Sequence, residues 1–161
     1  MTSRYDFMKI KLDKGASIAP SRAHPWDGGL DLYTPVDVVV PGCTISGWVK
    51  AFVLGGCADI GCATIDTGVH VEIPEGTVGL IKSKSGLNVK HGLTAEGVID
   101  AHYTGSIHVK LYNHTRRPYC FKAGDKIAQL VIVPCMLPKL ELVDSLEETD
   151  RGDNGFGSTG R

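Results

Sequence analysis

No apolar run in this 161-residue chain approaches the ~20 residues that a membrane span needs. The first six residues carry no cationic segment leading into an apolar one, so no secretory signal is expected. Charge of neither sign dominates: 17 basic residues stand against 18 acidic ones, which argues against a large nucleic-acid footprint. The five cysteines are odd in number and irregularly spaced. That disfavours a disulfide framework and favours a reducing compartment, the cytoplasm or, for a viral chain, the host cytosol. Cys57 and Cys62 have no second ligand pair at metal-site spacing, which argues against zinc. There is no Gly-x-x-x-x-Gly-Lys-Ser/Thr and no Gly-x-Gly-x-x-Gly after a strand, so the P-loop and dinucleotide-binding readings fail.

What remains is one domain with an ordinary core, built from short alternating segments punctuated by 20 glycines. Phe7–Leu12 alternates and predicts a half-buried strand. Residues 13–27 read as a loop, and Gly28–Tyr33 as a short strand with Asp31 held at its end. An unpaired carboxylate between two leucines would be costly, so a cation, a metal-bound water or the backbone should meet it; a turn aspartate is the plainer alternative. Val36–Val40 is a β-branched strand ended by Pro41-Gly42. Thr64–Ile73 sets Ile65, Thr67, Val69, Val71 and Ile73 on one face. After the turn Pro74-Glu75-Gly76 comes a strand over Thr77–Lys82. Ser83-Lys84-Ser85-Gly86-Leu87 breaks it, offering a charge, hydroxyls and exposed N–H groups suited to an anion or to a plain surface turn. Asn88–Gly92 reads as one helical turn. Ile127–Val133 is an apolar strand whose Gln129 needs hydrogen-bond partners, which neighbouring backbone could supply. Residues 44–63 follow neither period and read as an extension: an extra hairpin, a flap or a partner-binding loop.

The chain is organised around residues 97–107. Val98 and Ile99 fit a buried pleated surface, Asp100 sets a carboxylate beside them, and Tyr103 follows. Thr104-Gly105 reads as a turn, and Ser106–Tyr112 alternates with Ile107, Val109 and Leu111 on one face. An acid and a ring beside a hairpin turn can floor a pocket; taken alone, Asp100 reads equally as a turn-closing acid. The C-terminal tail, Arg151 to Arg161, places Phe156 among glycines with an arginine at each end. Glycine allows close backbone approach to phosphates, arginine pairs with their oxygens, and phenylalanine can stack on a base.

Five segments in order resemble the five motifs of the trimeric dUTPase (dUTP diphosphatase) family: Gly29–Tyr33, Lys84–Leu87, Gly97–Gly105, Gly124–Leu130 and Arg151–Gly160. The resemblance covers nearly the whole chain, with residues 44–63 longer than the usual connection. It implies an all-β, jelly-roll-like subunit spanning 1–161 as a single domain, with 44–63 as an insertion and 150–161 as a mobile, glycine-rich C-terminal lid. It implies a homotrimer with shared active sites, and Mg²⁺-dependent hydrolysis of dUTP to dUMP and pyrophosphate.

Carried over position by position, Asp100 would orient and deprotonate the attacking water. The backbone of Gly97, Val98 and Ile99 would read the uracil edge, and Tyr103 would pack under the deoxyribose. Ser85 and Gly86, with Lys84 nearby, would contact the phosphates. Gln129 and Asp31 would hold water around the metal, Asp31 acting through water while the substrate phosphates hold Mg²⁺. From the tail, Arg151 would meet the γ-phosphate, Phe156 would cover the uracil, and Gly157 and Ser158 would donate to phosphate oxygens. Three positions depart from the family pattern: Lys84 stands for the usual arginine, His102 for an acid and Asn154 for a glycine. The related dCTP deaminases would need a glutamate on the strand after the central hairpin, where Ile107-His108-Val109-Lys110-Leu111 has none. A dUTPase that also binds a protein partner through residues 44–63 is the other alternative. No direct nucleic-acid or membrane contact is expected.

Overall fold

The computed structural model describes residues 7–43, 60–150 and 152. The expected extension at 44–63 therefore lies outside the described residues up to 59, as do Arg151 and Phe156, Gly157 and Ser158 of the tail.

Among the described residues, ten strands and one short helix run in the order β1 (Ile10–Leu12), β2 (Gly29–Tyr33), β3 (Val38–Val40), β4 (Gly61–Asp66), β5 (Val69–Val71), β6 (Thr77–Lys82), α1 (Ser85–His91), β7 (Leu93–Ile99), β8 (His108–Asn113), β9 (Tyr119–Phe121) and β10 (Lys126–Pro134). Six of them form one antiparallel sheet in the order β2-β10-β6-β7-β8-β4. The pairs β1-β5 and β3-β9 make two small sheets beside it. Leu32, Ile65, Val69, Val71, Ile73, Ile81, Leu93, Ile107, Val109, Leu111, Ile127 and Leu130 interdigitate in a single core. The all-β expectation holds.

The buried face Ile65, Thr67, Val69, Val71 and Ile73 is as the alternation predicts, but the strand that carries it is broken. Gly68 turns left-handed at φ +63°. Its N–H donates to Asp66 Oδ1, while the Thr67 hydroxyl donates to the Ile107 carbonyl and accepts from the Val69 N–H. The chain thus leaves the large sheet and pairs with β1 instead. β1 itself is shorter and more exposed than its alternation predicts, with Phe7 outside it and 81% exposed, because among the described residues only β5 pairs with it. The helix starts at Ser85, three residues before the expected turn, and Gly92 ends it in the left-handed conformation at φ 62°.

Two corrections concern the central stretch. The tight turn lies at Asp100–Tyr103, closed by the Tyr103 N–H donating to the Asp100 carbonyl at 3.0 Å, rather than at Thr104-Gly105. Val98 is 63% exposed while Ile99 is buried: adjacent strand residues face opposite sides, and only the Ile99 side meets the core.

Candidate active site

The β7–β8 hairpin is paired only near its base, through Leu93↔Asn113, Thr94↔Tyr112 and Ala95↔Leu111. Beyond Ala95 the two strands part. β7 stays paired to β6 through Gly97↔Ile81, Val98↔Leu80 and Ile99↔Gly79, and β8 stays paired to β4. The β8-facing edge of residues 97–99 is thus left without a strand partner, and backbone groups along such an edge are open to a ligand. In the opening lies a cleft of about 220 Å³ lined by Val98, Ile99, Asp100, Tyr103 and His108. Asp100 is exposed at its rim. Tyr103 folds back on the chain, its hydroxyl donating to the Ser106 carbonyl at 3.0 Å. Its ring lies where a side chain at Gly105 would be, so any side chain there would displace it.

A second group gathers at the other end of β6. Asp31 lies in the middle of β2 rather than at its end, and it is 5% exposed. Lys84, at the N-cap of α1, reaches its Oδ1, and Lys126 Nζ lies 2.7 Å from its Oδ2. The Lys126 contact depends on a bulge. The β10–β2 register slips between Lys126 and Ala128, so Lys126 comes opposite Tyr33 and shares a face with Asp31; unbroken alternation would point it to the opposite side. Burial alone would raise the Asp31 carboxyl, but the hydrogen bonds and charges of Lys126 and Lys84 outweigh it and hold it below the usual carboxylate range. Asp31 raises Lys126 in return. Of the partners foreseen for Asp31, the structure supplies cations.

Gln129 stands opposite Asp31 and Lys82 in the register, and its amide donates to the Ser83 carbonyl at 3.1 Å. Gly29 admits it: a Cβ there would fall 3.2 Å from the Gln129 Cδ. The Ser83 hydroxyl exchanges hydrogen bonds with the backbone of Ala95, tying the start of α1 to β7. Ser85 and Gly86 open α1 exposed, and no side chain caps the helix, which leaves the first-turn N–H groups of Ser85, Gly86 and Leu87 available to an acceptor.

The sequence-predicted residues thus fall into two sets. Val98, Ile99, Asp100 and Tyr103 line one cleft, with Gly97 on the strand edge that leads into it; Asp31, Lys84, Ser85, Gly86 and Gln129 come together in another place. Ile99 pairs with Gly79, and Lys84 lies five residues further along the β6 direction, about 16 Å at strand spacing. Residues not foreseen are Lys126 in the second set, and Asp13, Asp66, His70 and Ser106 beneath the first; Ser83, expected to face an anion or a surface turn, instead bonds the backbone of Ala95. Among the described residues no group of three or more histidine, cysteine, aspartate or glutamate side chains could hold a metal ion. The four described cysteines are free, and no described helix is long and apolar enough to cross a membrane.

A model of the dUTPase family matches residues 16–160. The chain is 35% identical over 156 residues to the deoxyuridine 5'-triphosphate nucleotidohydrolase of Candida glabrata, covering 96% of each chain. It is 39% identical over 155 residues to the enzyme of the same name from Arabidopsis thaliana, covering 96% of this chain and 83% of that one. Among solved structures, the Staphylococcus bacteriophage 80alpha dUTPase with dUPNHPP superposes at a TM-score of 0.79 with 30% identity, covering 97% of this chain and 99% of that one. A mutant dUTPase from phage phi11 of S. aureus, whose structure details the coordination of a structural Mg(II) ion, gives 0.72 with 28% identity, covering 88% and 99%. With its motifs, its fold and nearly its whole length accounted for, the chain belongs to the dUTPase family.

Proposed function

We propose that this dUTPase-family chain hydrolyses dUTP to dUMP and pyrophosphate, through a water that Asp100 orients toward the α-phosphorus. The observation that carries this reading is the parted β7–β8 hairpin, which leaves the Gly97–Ile99 edge, the Asp100 carboxylate and the Tyr103 ring on one cleft. A strand edge offers fixed donors and acceptors at the spacing of a pyrimidine's polar edge. Cytosine would leave such groups unsatisfied, at about 1–3 kcal/mol each, and the methyl of thymine would overpack the cleft between the parted strands by on the order of 1–3 kcal/mol. Tyr103 would pack under the sugar and exclude a 2′-hydroxyl. A carboxylate is a weak base at neutral pH, so Asp100 contributes chiefly by holding the water in line.

The phosphates need neutralising groups that this cleft does not itself contain. Ser85 and Gly86, with Lys84 beside them, lie at the far end of β6, which supports a homotrimer in which each site draws on more than one chain. Arg151, Phe156, Gly157 and Ser158, outside the described residues, would close over the nucleotide: Arg151 on the γ-phosphate, Phe156 on the base, Gly157 and Ser158 on phosphate oxygens. The donor set fits Mg²⁺ only as an ion brought in on the triphosphate. Both Asp31 oxygens are engaged by lysines, so Asp31, with Gln129, would meet it through water. When bound, the ion supplies charge neutralisation to the phosphates. The product dUMP would feed thymidylate synthesis, and removing dUTP would limit uracil incorporation into DNA.

Pyrophosphate release from dUTP, dCTP, dTTP and UTP, with and without Mg²⁺, tests the reading. Release from dUTP alone, dependent on Mg²⁺, is expected; ammonia released from dCTP would overturn it in favour of a deaminase.

A further inference from the structure

Beneath the turn that carries Asp100 and Tyr103 lies a polar cluster with no part in the reading above. His70, on β5, is mostly buried, its side chain 18% exposed. Its Nδ1 lies 2.8 Å from the carbonyl oxygen of Thr104, and its Nε2 lies 3.0 Å from Asp13 Oδ1. A peptide carbonyl and a carboxylate can only accept, so the two contacts stand together only when both ring nitrogens carry protons. A neutral imidazole would set a bare nitrogen lone pair against one of the two oxygens. The charged and titratable groups described around His70 are Asp13, which Lys11 also approaches at 3.8 Å, Asp66 with its neighbour His108, 3.6 Å away, and, two residues further along the chain, Glu72, which Lys9 pairs at 3.1 Å. Lys11 pairs with His70 across β1 and β5. Asp66 accepts from the Ser106 hydroxyl, and this bond first, then the Gly68 N–H, holds its carboxyl below the usual range against a smaller opposing effect of burial.

We propose that His70, as an imidazolium bridging Asp13 and the Thr104 carbonyl, is a positioning residue for the nucleotide site. It fixes the Tyr103–Ser106 segment from below, and through the Tyr103–Ser106 hydrogen bond it fixes the ring that floors the cleft. The inference rests on the assignment of the 97–103 cleft to the nucleotide. Loss of the proton breaks one end of the bridge and loosens Tyr103, leaving the Asp100 carboxylate chemically unchanged. The effect is therefore on substrate capture more than on the chemical step.

The experiment pairs imidazole nitrogen NMR with steady-state kinetics across pH on the full chain. In the parent protein the His70 nitrogen signals are expected to show a proton on both ring nitrogens while the bridge stands, and KM for dUTP is expected to rise, with kcat nearly level, over the same pH range in which those signals show one proton lost. His70→Ala should raise KM roughly tenfold, the loss of one charge-assisted hydrogen bond, with kcat changed less. Asp13→Asn is the discriminating variant. An asparagine amide can donate to Nε2, so a neutral ring bonded through Nδ1 to Thr104 completes the bridge, and the rise of KM that follows His70 deprotonation should vanish. Nitrogen signals that never show both His70 nitrogens protonated, or a KM profile shared by the parent and Asp13→Asn, would overturn the proposal. The NMR arm needs no turnover, so it stands apart from any failure of the dUTP reading itself.

Discussion

Lys126 Nζ sits 2.7 Å from Asp31 Oδ2 across the β10–β2 pair, and Lys84 takes the other oxygen. Two motifs almost a hundred residues apart, and a third between them, are thereby joined at one buried carboxylate. Because the folded protein holds Asp31 below the usual carboxylate range, the sign of its linkage is fixed. Its contribution to stability is fully present above the unfolded value near ~4, and it is lost as pH falls through the lower folded value. Thermal melts of the parent and Asp31→Asn should therefore differ most at neutral pH, by about 2 kcal/mol for the lost charge-assisted bonds, and converge at strongly acid pH. A gap that stayed constant through pH 3 would mean the two lysines do not govern Asp31.

Asp100→Asn should keep dUTP binding by calorimetry while pyrophosphate release falls by at least about 10²-fold, the usual loss when a general base is removed. The amide retains the size of the side chain and its place at the cleft rim, but it lacks the second acceptor oxygen and the charge that hold the water in line, and it cannot take the water's proton. Near-parental turnover would remove Asp100 from the reaction.

The parts of the fold that were legible share a cause. β6 and the buried face from Ile65 to Ile73 follow from period-two alternation, since burial on one side of a strand is written directly into the residue pattern. The break at Gly68 was not legible, because the alternation continues across it and only the side-chain bonds of Asp66 and Thr67 show the turn. The partners of Asp31 were open for a different reason: Lys84 and Lys126 reach it through strand pairing and a bulge, which spacing along the chain does not encode. His70 was hidden most completely. It occupies a polar position of an alternating strand, where a histidine looks like any solvated side chain, and its role comes from a loop thirty-four residues away. The resemblance to a family names residues that line the cleft, but the parted hairpin that opens it is visible only in the register.

Removing residues 150–161 should leave the oligomer intact by sedimentation and lower turnover sharply. The arginine, phenylalanine and hydroxyl groups of that segment have counterparts in a triphosphate and a base, whereas the described core closes without them. Unchanged turnover in the truncated chain would deprive the tail of its assigned part.

Gly105→Ala addresses the sugar side of the cleft. A methyl at this position would come within 2.6 Å of Tyr103 Cζ, far inside contact distance, so the ring must swing away from Ser106 and surrender its hydrogen bond. The turn does not depend on a left-handed glycine here, so the backbone itself can accept alanine, and the cost in stability should stay near 1 kcal/mol, that of one neutral hydrogen bond. The larger effect falls on selectivity. With the ring displaced, a 2′-hydroxyl no longer meets it, and the ratio of kcat/KM for dUTP over UTP should drop roughly tenfold, mainly through better use of UTP. Competition assays with both nucleotides read the ratio directly. A variant that is as stable as the parent and equally selective would show that Tyr103 does not discriminate the sugar.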